Sequence, residues 1–205
     1  GSLSNAGDIL AGQDLLVDAQ AMVENPGKIH SAGTATIRSD SVANSGDILS
    51  LGPVKIHSAR EVSNSGRIAA NGQVTIAAGA LANGGRVTSG QELAIDLSGG
   101  LDNSGTIHSD SEVGIRAEVL LNDRDAVIQG LGDISIETRA GLENRGIVNS
   151  AGGVAIQTGG TLSNAGGNIL AQSSMELASS ADLENSGLVQ SAWTGTFRSS
   201  GALLN

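Results

Sequence analysis

Branched aliphatic residues alternate with polar or small residues along the whole chain, in a unit that returns about every 20 residues. Residues 62–80, VSNSGRIAANGQVTIAAGA, are one copy of it. Each copy contains an asparagine, and successive asparagines are 19 to 22 residues apart. They are Asn5, Asn25, Asn44, Asn64, Asn83, Asn103, Asn122, Asn144, Asn164, Asn185 and Asn205. This period is typical of a solenoid, in which each unit is one coil that buries its apolar side chains by stacking on its neighbours.

Within a copy, the aliphatic residues lie at even offsets from the asparagine. Leu or Val comes two residues before it, and a pair such as Val74 and Ile76 follows ten and twelve residues after it. A further row comes four or five residues after it: Ile9, Ile29, Ile48, Ile68, Val87, Ile107, Val127, Val148, Ile169 and Val189. A period of two indicates strands and not helices. The pattern therefore predicts an all-β parallel β-helix of about ten coils with three short strands per coil.

The asparagine has the same parity as the aliphatic residue two positions before it, so its amide should point inward. An inward amide can donate to the coil on one side and accept from the other. We therefore predict a buried structural ladder, and the alternative is an array that binds a ligand. Its members are Asn5, Asn25, Asn44, Asn64, Asn83, Asn103, Asn122, Asn144, Asn164 and Asn185. Glycine follows two residues later in most copies, which predicts a corner with a positive φ angle.

Composition supports a narrow solenoid with a small-residue core. The 205 residues include one Trp, one Phe, no Tyr, 30 Gly and 2 Pro, and composition does not change along the chain. We therefore expect residues 3–205 to be a single repeat domain from a longer filamentous chain, with residues 1–2 as a cloning remnant. The absence of Cys excludes disulfides and thiolate metal sites. No apolar run is long enough to span a bilayer, so membrane insertion is not expected.

The net charge of −10, from 21 acidic and 11 basic residues, argues against nucleic acid as a partner. Three residues after the asparagine, the first coils carry charges of alternating sign: Asp8, Lys28, Asp47 and Arg67. Stacked coils would place these side chains about 4.8 Å apart. We therefore expect ladders of opposite charges along the outside of the solenoid.

Residues that could carry chemistry are few and scattered. His30, His57 and His108 lie on different rows or far apart, with no repeated carboxylate pair beside them. The length differences between copies fall at the corners and amount to a few residues, which leaves no long loop for a catalytic site. We therefore expect no metal, no cofactor and no enzymatic activity.

The pattern L-x-N-x-G-x-I-x-(S/A) followed by V-x-I-x-(A/S) resembles the haemagglutinin repeat of the filamentous haemagglutinins and contact-dependent inhibition exoproteins. The resemblance covers residues 3–205. It implies a right-handed parallel β-helix in a long secreted or surface-exposed bacterial filament, exported through an outer-membrane two-partner-secretion partner. In such proteins a toxin or receptor-binding segment lies elsewhere in the chain. Two coils depart from the pattern: Arg124 replaces the corner glycine in one, and the last contains Trp193, Gly195 and Phe197.

Two functions are consistent with this pattern. The first is a structural shaft, monomeric and partnered by adjoining repeats, that projects distal functional segments from the cell. The alternative is an adhesin binding module that recognises a host receptor or glycan through the β-helix surface.

Trp193 lies where other coils carry Gly, Gln or Ser, and Gly195 occupies the place of an inward aliphatic. We predict that the indole packs inward to fill the resulting space. The alternative is an exposed indole that stacks on a sugar as a ligand contact.

Overall fold

The computed structural model describes all 205 residues, and they form 29 β-strands without any helix. No segment forms a helix that could cross a membrane. The strands are β1 (Leu3–Ser4), β2 (Asp8–Ala11), β3 (Leu15–Asp18), β4 (Met22–Asn25), β5 (Lys28–Ser31), β6 (Ala35–Ser39), β7 (Ser41–Asn44), β8 (Asp47–Ser50), β9 (Val54–Ser58), β10 (Glu61–Asn64), β11 (Arg67–Ala70), β12 (Val74–Ala78), β13 (Ala80–Asn83), β14 (Arg86–Ser89), β15 (Leu93–Leu97), β16 (Leu101–Asn103), β17 (Thr106–Ser109), β18 (Val113–Asn122), β19 (Val127–Gly130), β20 (Ile134–Asn144), β21 (Ile147–Ser150), β22 (Val154–Thr158), β23 (Thr161–Asn164), β24 (Asn168–Ala171), β25 (Met175–Ser179), β26 (Leu183–Asn185), β27 (Leu188–Ser191), β28 (Gly195–Ser199) and β29 (Leu203–Leu204).

Successive coils stack with their strands parallel and in register. The strand that follows each asparagine, such as β11, belongs to a 10-stranded sheet. We call it the first strand of its coil. The second and third strands, such as β12 and β13, belong to a 19-stranded sheet. In two coils the second and third strands join into one continuous strand, β18 or β20. The all-β parallel solenoid of about ten coils, with three strand segments per coil, is therefore confirmed.

The core is a set of aliphatic columns that run along the solenoid. Ile68 lies beside Ile48 of the preceding coil and Val87 of the following coil, and all three are fully buried. In total, 39 buried apolar residues form one continuous cluster. Each coil therefore buries its apolar side chains against its neighbours, as a solenoid requires.

The seventh coil corrects one predicted core position. Ile128, and not Val127, continues the buried row, because Ile128 is paired with Ile107 and Val148. Val127 faces outward beside Thr106. The corner between Asn122 and β19 has two extra residues. The inward position therefore falls six residues after Asn122, one residue later than predicted.

The prediction that the corner glycines need a positive φ angle is wrong at every such glycine except Gly166. Positive φ angles occur only at Asp125 and Gly166, both at corners that carry inserted residues. Glycine is needed elsewhere for a different reason, shown by Gly85. A Cβ atom there would overlap the carbonyl oxygen of Gly66 in the preceding coil. The stacked backbones therefore approach too closely for any side chain.

The expected charge ladder is aligned but not paired. Asp8, Lys28, Asp47 and Arg67 occupy successive register positions, yet no ion pair forms among them. Ion pairs between coils occur elsewhere, as between Arg116 Nε and Glu137 Oε2 at 3.0 Å. Exposed pairs of this kind contribute about 0 to 1 kcal/mol each. The core and backbone ladders, and not surface charge, therefore hold the coils together.

Candidate functional site

The asparagine amides form one hydrogen-bonded column inside the solenoid. The Nδ2 of each donates to the Oδ1 of the asparagine in the next coil, at 2.6 to 2.8 Å. The column includes every residue proposed from the sequence and continues to the last asparagine: Asn5, Asn25, Asn44, Asn64, Asn83, Asn103, Asn122, Asn144, Asn164, Asn185 and Asn205. All the bonds have the same direction, toward the C-terminal end.

Each interior amide also bonds to the backbone. Asn122 is representative: its Nδ2 donates to Asn144 Oδ1 at 2.8 Å and to the Ile147 carbonyl at 3.2 Å, while its Oδ1 accepts from Asn103. Asn122 is fully buried. Both amide hydrogens and the oxygen therefore have partners within the protein. From Asn25 to Asn164 the column lies inside the fold and presents no free polar group to an external ligand.

A second polar column, of serines, lies at the corner after the first strand. Ser89 shows its geometry: its Oγ donates to the Gly72 carbonyl of the preceding coil at 2.9 Å and accepts the Gln91 N–H at 3.3 Å. Equivalent serines are Ser31, Ser50, Ser109 and Ser150. In the repeat pattern this position is the final (S/A) of L-x-N-x-G-x-I-x-(S/A), which does not distinguish a serine from an alanine. The recurrence of Ser six residues after the asparagine was the signal for a hydrogen-bonding role.

Trp193 does not pack into the core, so that prediction is wrong. The indole is 78 % exposed, at the corner between β27 and β28. The space beside Gly195 is taken by the ring of Phe197, whose Cε2 lies 3.1 Å from where a Gly195 Cβ would be. The strand alternation stops at the corner, so an even offset from the asparagine no longer implies an inward direction.

A comparison with protein families identifies the repeat. The family model described as haemagglutinin repeat matches residues 1–105, 69–146 and 127–205, which together span the chain. The chain belongs to the haemagglutinin repeat family. Searches of curated proteins and of solved structures found no significant match.

The haemagglutinin repeat solenoid has a shallow polar trough along the corner that carries the glycine column. Its volume is about 830 Å³, and the hydroxyls of Ser45, Ser65 and Ser104 line one side. Arg67 and Arg86 lie side by side on the other without an ion pair, and Asp47, the register neighbour of Arg67, also lines the trough. This part of the trough could bind an anionic ligand, because two arginines without an ion pair are neighbours there.

The His, Asp and Glu side chains of this chain are not gathered into a cluster of metal-ligand type. No group of three or more His, Asp and Glu side chains could hold a metal ion. One pKa is shifted: a hydrogen bond to Glu143, followed by its negative charge, raises the pKa of the Arg145 guanidinium. A guanidinium with a raised pKa remains protonated and does not serve as a general base.

Proposed function

We propose that this haemagglutinin repeat segment is a structural shaft of a secreted or surface-exposed bacterial exoprotein. The supporting observation is the unbroken, in-register stack in which the buried amide column joins every coil from Asn5 to Asn205. A stack of about ten coils, each rising about 4.8 Å, is a rod roughly 48 Å long. Such a rod holds whatever segments adjoin it at a defined separation.

The stack resists bending because each coil is bonded to both neighbours. A bend would have to open backbone hydrogen bonds of both sheets and the buried amide bonds together. An amide that loses its partner inside a protein costs about 1 to 3 kcal/mol. We propose that the segment works as a monomer whose partners are adjoining repeats, and that it reaches the cell surface through an outer-membrane secretion partner. These proposals rest on family membership.

The rigidity of the shaft can be measured by electron–electron distance spectroscopy between two nitroxide labels. The chain has no Cys, so Glu24→Cys and Glu184→Cys would carry unique labels on one outward-facing column, at an exposed and a partly exposed position. They are separated by eight coils, and we expect a narrow distribution centred near about 38 Å.

Deletion of residues 65–83 removes one whole coil and provides the matched comparison. The distance should then shorten by about 4.8 Å while the distribution stays narrow. A broad distribution in the intact chain, or a deletion that leaves the distance unchanged, would contradict a rigid shaft built from equivalent coils.

The second candidate function is an adhesin binding module for a host glycan or protein. Two observations favour it: the exposed indole of Trp193 and the unpaired Arg67 and Arg86 in the polar trough. Aromatic rings stack on sugar faces, and guanidinium groups bind anionic substituents.

A heparin column at low salt tests this candidate. Retention that is lost in the double variant Arg67→Gln/Arg86→Gln would support the trough as the binding surface, and Lys55→Gln on another face is the control. Retention reduced by Trp193→Ala would implicate the indole. If wild-type protein passes through unretained, recognition of an anionic glycan is contradicted.

A further inference from the structure

The outer surface of the third strands has an unusual charge distribution. Its residues lie one and three positions before each asparagine, and we call this surface the third-strand face. It contains no Lys, Arg or His. Its acidic residues are Glu24, Glu61, Asp102, Glu143, Asp182 and Glu184. More than half of the net charge of −10 is therefore concentrated on one face.

An apolar groove of about 620 Å³ lies in the middle of this face. Val119 stands in it, 45 % exposed. In the following coil, the register partner of Val119 is Gly141. In the preceding coil, the neighbour of Val119 is Gly100, where a Cβ atom would lie 3.2 Å from the valine Cγ2. The neighbouring coils therefore place no side chain over the valine, which leaves an open hollow on both sides of it.

The second apolar residue of the groove lies between carboxylates. Leu121 is in register with Asp102 of the preceding coil and with Glu143 of the following coil. Successive positions are about 4.8 Å apart. The groove thus presents acid, leucine and acid in succession along the solenoid axis.

The carboxylates of the groove are mostly free. Glu61 and Asp102 form no ion pair, whereas Glu143 accepts a hydrogen bond from Arg145 Nε at 2.7 Å. An exposed valine and a half-buried leucine beside unpaired carboxylates complement a ligand that carries apolar and cationic groups together. No internal contact of the fold accounts for this combination.

We propose that the third-strand groove binds an extended segment of a partner protein in which an aliphatic side chain is flanked by lysine or arginine. The aliphatic side chain packs against Val119 and Leu121, over the glycine floor. The flanking cations pair with Asp102 on one side of Leu121 and with Glu143 on the other. This site is separate from the polar trough, which lies on another corner and carries arginines.

A labelled peptide of sequence Lys-Ser-Leu-Ser-Lys-Ser-Leu-Ser-Lys tests the proposal by fluorescence anisotropy with the intact chain. Leu121→Thr should weaken binding about tenfold, because a buried leucine contact is lost. Asp102→Asn should weaken it about threefold, as expected for an exposed ion pair. Both substitutions are on the surface, and circular dichroism checks that the variants remain folded.

Matched controls distinguish the groove from general charge attraction. Leu170→Thr and Asp96→Asn alter partly or fully exposed residues on the other two faces and should leave the dissociation constant unchanged. A peptide with Glu in place of every Lys should bind more weakly than the original. The proposal is overturned if the basic peptide does not bind, or if the control variants weaken binding as much as the groove variants do.

Discussion

Replacement of Asn103 by alanine tests whether the amide column holds the coils together. Asn103 is fully buried in the middle of the array. Its Oδ1 accepts from Asn83 Nδ2 at 2.8 Å, and its Nδ2 donates to Asn122 Oδ1 at 2.8 Å. Asn103→Ala therefore leaves one N–H of Asn83 and the Oδ1 of Asn122 without their column partners.

The expected cost follows from these two orphaned groups. A buried polar group that loses its partner costs about 1 to 3 kcal/mol, so the free energy of unfolding should fall by about 2 to 6 kcal/mol. At the end of the column, Asn5 accepts from no other asparagine. Asn5→Ala orphans only Asn25 Oδ1 among the amides, so its cost should be about half as large.

Urea unfolding, followed by circular dichroism, measures both free-energy losses. The slope m of the free energy of unfolding against urea concentration should be the same in the variants and the wild type, so that their midpoints can be compared. Asp102→Ala is the control, because this exposed residue precedes Asn103 and surface changes usually stay within about 0.5 kcal/mol. Equal losses for Asp102→Ala and Asn103→Ala would show that the buried amide column does not stabilise the stack.

Three further predictions concern stability and exposure. Gly85→Ala should lower the melting temperature strongly or prevent folding, because its Cβ would overlap the Gly66 carbonyl, whereas Gly114→Ala meets open space and should be nearly neutral in a thermal melt. Thr138→Val should raise the free energy of unfolding by about 1 kcal/mol in urea, since the Thr138 hydroxyl is buried without a partner; a loss of stability would contradict this. Trp193 fluorescence should be red-shifted and readily quenched by acrylamide, and protection from the quencher would contradict the exposed indole.

The regular part of the fold could be predicted because one physical rule acts in every coil. Alternation places every second residue inside, so Val62 and Ile68 could be assigned to the core from the sequence, and both are fully buried. The same parity argument predicted an inward amide for residues such as Asn64. It fails where the backbone leaves the extended conformation, and this happens at the corners.

The corners explain each wrong prediction. At the seventh coil, the spacing from Asn122 to Asn144 showed that residues are inserted but not at which corner, and the choice between Val127 and Ile128 depended on this. For the glycine corner, the recurrence of glycine does not show whether a positive φ angle or crowding is the reason for it. Crowding depends on the distance to the preceding coil, which is a property of stacking and not of the local sequence.

The outward columns are where coils of one haemagglutinin repeat chain can differ without cost to the stack. Inward positions are constrained by their register partners, so a change at Ile68 is felt by Ile48 and Val87. An outward position meets solvent and can be changed almost freely. Residues that depart from the surrounding surface, such as Val119 and Trp193, are therefore not required by the fold, and their presence calls for another explanation. The two binding proposals give them a role in recognition, because apolar groups that are gathered on a surface favour contact with another molecule over contact with water.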